Sequence, residues 1–106
     1  MDQSMEYIMQ MISFGGEGKS LVLQALHHAE EEQFAASLEK LQMARDSINK
    51  GRQAHAKMLT YEANHQDDFR VSMLLLHGAD YVSNAEDMLE LANVLVRIMK
   101  KEKGER

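Results

Sequence analysis

Apolar residues recur at helical spacing in three long segments of the chain. The first runs from about Asp2 to Glu31. It opens with Met1, Met5, Ile8 and Ile12 and resumes with Leu21, Val22, Ala25, Leu26 and Ala29, a period of about 3.6 residues. Between the two runs lies Phe14-Gly15-Gly16-Glu17-Gly18. Each helical glycine costs roughly 1 kcal/mol against alanine, so this density predicts a kink or break. The second segment runs from about Gln33 to Asn64, with an inward line of Phe34, Leu38, Leu41, Ala44, Ile48, Gly51, His55 and Met58. Glu39, Lys40, Asp46, Asn49, Lys50 and Gln53 give it a polar back. The small residues Ala44 and Gly51 on that line would allow close helix approach.

The third segment runs from about Phe69 to Lys101. Asp67 or Asp68 is the expected N-cap, because a carboxylate there can accept from free first-turn N–H groups. Its main stripe is Leu74, His77, Tyr81, Met88, Ala92, Leu95 and Met99. The other sides are apolar too: Met73 and Leu76 on one, Leu75, Ala79, Val82, Leu89 and Val96 on the other. A helix laid on a small monomer should have a polar back. This one reads as buried all round, which three helices alone cannot provide, and self-association is the simplest remedy. Long helices with short connections predict an all-α, antiparallel, up-down-up three-helix bundle, a single domain over residues 1–106.

Composition narrows the chemistry. With 106 residues and a net charge of -5, the chain is a poor nucleic-acid binder. It has no cysteine, which excludes disulfides, thiolate metal sites and cysteine nucleophiles. No apolar run approaches the ~18 residues of a membrane span, and Met1-Asp2-Gln3-Ser4 lacks a signal-peptide pattern. A cytoplasmic protein without direct membrane insertion is expected. The basic run from Arg97 to Arg106 reads as a solvated helix end.

Three patterns fail their context. Ser13 to Ser20 ends in Gly18-Lys19-Ser20 like a phosphate-binding loop, but Ser13 replaces the first glycine and the preceding segment is helical. It reads as a kink with Lys19 exposed and no nucleotide affinity. Glu62-Ala63-Asn64-His65 is a single Glu-x-x-His, where a di-iron bundle uses two. His27 and His28 face Glu31 and Glu32 at i,i+4, an acidic helix end rather than a metal site.

The informative stretch is Ser72-Met73-Leu74-Leu75-Leu76-His77-Gly78-Ala79-Asp80-Tyr81-Val82. His77 and Asp80 are neighbours on one side of a helix, in the most apolar part of the chain. A buried Asp must find a cation, a metal or donors. One reading is a buried His–Asp pair that fixes packing. The other is a nucleophilic imidazole, since an imidazole of ordinary basicity is mostly neutral near pH 7 and can attack phosphorus directly. Gly78 would then leave space for a partner or phosphoryl group.

Over roughly Ile8 to Lys101 the sequence resembles the IIA component of the lactose/cellobiose class of the bacterial phosphoenolpyruvate-dependent sugar phosphotransferase system. The family's apolar run followed by His-Ala-Gln-Asp-His-Leu-Met is similar to Leu74-Leu75-Leu76-His77-Gly78-Ala79-Asp80-Tyr81-Val82-Ser83. Its glycine-containing break and following helix resemble Gly15 to Ser20 and Gln24-Ala25-Leu26. Its Gly-Asp-Phe-like turn corresponds to Glu32-Gln33-Phe34, and its Glu-Ala pair to Glu62-Ala63.

The resemblance implies a homotrimer, a nine-helix bundle. It implies that His77 accepts phosphate from the phosphocarrier HPr and passes it to a cysteine of the IIB component, for uptake of a lactose/cellobiose-type sugar. It further implies that Asp80 lies on the threefold axis, where three copies hold one Mg²⁺. The family's Gln is Ala79 here and its second His is Tyr81, so no side-chain amide stands at Ala79. In the second helix, His55 is the candidate supporting group. The rival expectation is a non-catalytic helical interaction or regulatory module that keeps the fold.

Overall fold

The computed structural model describes residues 3–65 and 71–104. It consists of α1 (Gln3–Glu30), α2 (Phe34–Asn64) and α3 (Met73–Glu102), with no strand among the described residues. Contacts fix the topology. Ala25 meets Ser37, and Gly18 meets Ile48, so α1 and α2 are antiparallel. Gly78 lies against Met11, and Tyr81 against Gly15, so α3 returns parallel to α1. The up-down-up bundle measures 58 × 19 × 18 Å.

α1 runs unbroken through its glycines, against the expected break. They serve close approach instead. A Cβ on Gly15 would stand 3.0 Å from Tyr81 C and Cβ, and one on Gly18 would stand 2.5 Å from Ile48 Cγ1. Packing of α2 and α3 onto this stretch outweighs its weak helix propensity.

The apolar interior has two parts. Ile8, Met11, Ala54, Met58 and Val82 fill the end nearer the start of α3. Leu21, Val22, Ala25, Ala29, Phe34, Leu41, Ala44, Ile48, Ala85, Leu89, Ala92 and Val96 fill the rest. The buried polar side chains Ser37 and Ser47 donate to the carbonyls of Ala25 (2.8 Å) and Phe14 (3.4 Å), which satisfies both hydroxyls. On α2, Leu38 is exposed and His55 half-buried, contrary to the inward line expected of them; Ser37 and Ala54 take the inward places.

The start of α3 differs from expectation. Its N-cap is Ser72, whose hydroxyl accepts from the backbone N–H of Leu75 at 3.1 Å, and the helix begins at Met73. Asp67, Asp68 and Phe69 lie outside the described residues. The buried stripe of α3 is Gly78, Val82, Ala85, Leu89, Ala92 and Val96, while Leu74, His77 and Leu95 of the expected stripe are exposed.

Candidate functional site

His77 lies in the second turn of α3 and its side chain is exposed. Gly78 beside it is buried: a Cβ there would meet Met11 Cβ at 3.3 Å and the carbonyl of Ile8 at 3.4 Å. Gly78 therefore brings α3 onto α1 and leaves no space for a ligand. This close seating turns the neighbouring His77 outward.

Four residues on, Tyr81 packs its ring against the imidazole, with centroids 4.4 Å apart and planes tilted by 53°. Its backbone rests on Gly15, and Gly16 leaves room for the ring: a Cβ on Gly16 would come within 3.3 Å of Cε2. Lys19 of α1 places its Nζ 4.7 Å from the centre of the same ring. Lys19 is thus half-buried, not the exposed end of a kink. Sequence reasoning missed this Lys19–Tyr81–His77 assembly because its members come from two helices far apart in the chain.

Asp80 is exposed, so the expected buried His–Asp pair is not formed within the subunit. It shares one side of α3 with Met73, Leu76, Asp87, Leu91, Val94 and Ile98, all exposed. A group of three or more His, Cys, Asp or Glu that could hold a metal ion is absent among the described residues of one chain. His55 makes no hydrogen bond or ring contact with His77 among the described residues.

The remaining motifs hold local contacts. His65 stacks on Tyr61 with centroids 4.0 Å apart and bonds through Nδ1 to the Tyr61 carbonyl. His27 pairs with Glu30 at 3.1 Å and His28 with Gln33 at 2.7 Å, instead of Glu31 and Glu32.

A family model described as the PTS system, Lactose/Cellobiose specific IIA subunit, matches residues 6–100. The chain belongs to this IIA family. It is 26% identical to the lichenan-specific phosphotransferase enzyme IIA component of Bacillus subtilis, over 95% of this chain and 92% of that one. It is 24% identical to the PTS system lactose-specific EIIA component of Staphylococcus epidermidis, over 87% of this chain and 88% of that one. The fold matches the crystal structure of the PTS cellobiose-specific enzyme IIA from Bacillus anthracis, with a TM-score of 0.89 and 25% identity over 100% of this chain and 96% of that chain. The homologues are PTS EIIA components, phosphocarriers of sugar phosphotransferase systems, and this IIA chain is a phosphotransferase component of that kind. Among its described residues no helix is long and apolar enough to cross a membrane.

Proposed function

We propose that this IIA component carries a phosphoryl group on His77, received in the cytoplasm from HPr and delivered to a cysteine of a IIB component. The observation that carries this reading is an accessible imidazole inside the family-matched segment, on a helix anchored by Gly78 and capped by Ser72. In loading, a bond forms between an imidazole nitrogen of His77 and phosphorus. The donor's nitrogen–phosphorus bond breaks, and its neutral imidazole leaves with the bonding pair. The second ring nitrogen of each histidine keeps its proton, so charge moves with the phosphoryl group. The protein's part is positioning and charge stabilisation, without binding sugar. The two relatives above are named for lichenan and lactose, so the fold serves systems for more than one sugar, and the choice of sugar is assigned to the membrane permease.

The outward apolar side of α3 supports a homotrimer in which three copies of that side meet in a nine-helix bundle. Asp80 lies on this side and would bring one carboxylate from each copy to the axis. Three ionised carboxylates so close require a cation or protons, and oxygen ligands suit a hard cation such as Mg²⁺. Asp80 would hold it, one ion per trimer, and the ion's contribution there is charge neutralisation. His55, half-buried on α2, is proposed as a supporting polar group whose loss weakens transfer modestly.

Incubation with phosphoenolpyruvate, enzyme I and HPr, followed by intact mass, tests the carrier role. Wild type should gain one phosphate and His77→Ala none, with its helix content retained. A wild type that gains nothing would instead support the rival, a helical interaction module.

A further inference from the structure

We infer that Lys19 is the cation that pairs with the oxygens of the phosphoryl group carried by His77, and that Tyr81 holds both side chains in place for it. This rests on His77 being the phosphoryl acceptor. The Tyr81 ring has the imidazole on it at 4.4 Å and the Lys19 ammonium at 4.7 Å from its centre. The ammonium is therefore no farther from the imidazole centre than these two distances together, a gap that the phosphoryl group extending from the ring and rotation of the flexible lysine side chain would close.

Charge gives the arrangement its purpose. Phosphorylation puts negative oxygens on an exposed ring whose near neighbour along the helix, Asp80, is acidic. During transfer the charge is spread over the equatorial oxygens, so a fixed cation stabilises the transition state as well as the product. An ammonium over a tyrosine ring is held weakly, whereas its hydrogen bond to a phosphoryl oxygen is charge-assisted and stronger. Lys19 can therefore leave the ring for the phosphate and return when the phosphate departs. The glycine-rich stretch of α1 has a matching use. Gly15 and Gly16 admit Tyr81 against α1, and Lys19 follows one turn later on the same helix. Gly18-Lys19-Ser20 thus meets a phosphate without forming a nucleotide loop.

The test uses full-length protein loaded through phosphoenolpyruvate, enzyme I and HPr. Single-turnover loading should slow about tenfold in Lys19→Met and Lys19→Gln, less than the loss for a fully buried oxyanion donor. Lys19→Arg should restore most of the rate. Tyr81→Leu should lose as much as Lys19→Met, Tyr81→Phe should lose little, and the double variant Lys19→Met/Tyr81→Leu should be no slower than either single one. The ³¹P signal of the loaded protein supplies a readout that a merely structural role would not move. A nearby cation favours the deprotonated phosphoryl group, so the pH midpoint of that signal should rise in both neutral variants and return in Lys19→Arg. An unchanged midpoint in loaded Lys19→Met and Lys19→Gln overturns the assignment, even where loading is slow, because Lys19 would then act only in docking the donor. A wild type that takes no phosphate would overturn the carrier reading itself and this inference with it.

Discussion

On the side turned toward α1 and α2, α3 carries Gly78, Val82, Ala85, Leu89, Ala92 and Val96, all buried and mostly small. On the opposite side it carries Met73, Leu76, Leu91, Val94 and Ile98, large and exposed, with Leu91 at 65% of its full accessible surface. A monomer would have the reverse order, with bulk inside and charge outside. Small inward residues bring the helix axes together. The large outward ones are a second apolar surface that the subunit's own helices do not cover, and an apolar patch of this kind marks an interaction site. The two sides thus have different work: one builds the subunit, and the other is available for assembly.

Substitutions that treat the two sides separately test this division. The largest effect is expected inside. Val82→Asp puts an unpaired carboxylate at a site with 1% exposure and should cost more than about 3 kcal/mol, unfolding much of the population. Urea denaturation followed by circular dichroism measures it, and a variant as stable as wild type would refute the inward assignment. Leu91→Asp should leave subunit helix content unchanged and abolish the proposed trimer in analytical ultracentrifugation; a trimer that survives it would remove Leu91 from the assembly surface. In the proposed trimer, Asp80→Leu should keep the assembly and lose the cation, with stability unchanged or raised by roughly 1–4 kcal/mol, since three like charges would leave the axis together. Chelation of wild type at neutral pH should weaken the trimer. Metal retained by trimeric Asp80→Leu, or a wild-type monomer under all conditions, would contradict the axial placement.

The smallest change lies at the far end of α3. Glu32 adopts a left-handed φ of 61°, where the family resemblance has glycine, and its carboxylate meets Lys103 Nζ at 2.7 Å. That hydrogen bond, then the Glu32 charge, raises the Lys103 pKa above its ordinary value. A raised lysine contributes stability below its unfolded pKa and loses it as pH rises through the higher folded value, so this pairing is in place at neutral pH and is lost only in strong alkali. Glu32→Gly should relieve the backbone and raise stability by up to about 1 kcal/mol near pH 7. NMR titration should show Lys103 returning toward ordinary behaviour; an unmoved Lys103 would show that the pair is not formed in solution.

Helix number and order were legible because periodicity over some thirty residues is a strong signal, and the ends of α1 and α2 fell within about one or two residues of expectation. The inward face of α3 was not legible from that signal. With apolar residues on every side, periodicity does not choose among faces. The discriminating mark was small size at seven-residue intervals, Gly78, Ala85 and Ala92. The cap was ambiguous for a similar reason, because Ser72 and the two aspartates are equally competent N-caps. His77 and Asp80 stood out as ionisable residues in an apolar run, but their exposure followed from Gly78 being buried, which only the packing of α1 reveals. Lys19 was invisible as a partner of Tyr81, since propensity assigned its glycines to a bend.

The three-residue connection between α1 and α2, Glu31 to Gln33, also sets an order of events in time. Closing so short a loop costs little chain entropy, so the α1–α2 hairpin is expected to form before α3 docks. Truncating Leu41 should then slow refolding, while truncating Val96 should mainly speed unfolding; the opposite pattern would reverse the order. Because α3 arrives last, its outward surface becomes a coherent stripe only on a finished subunit, and assembly should appear as a separate, concentration-dependent phase after folding.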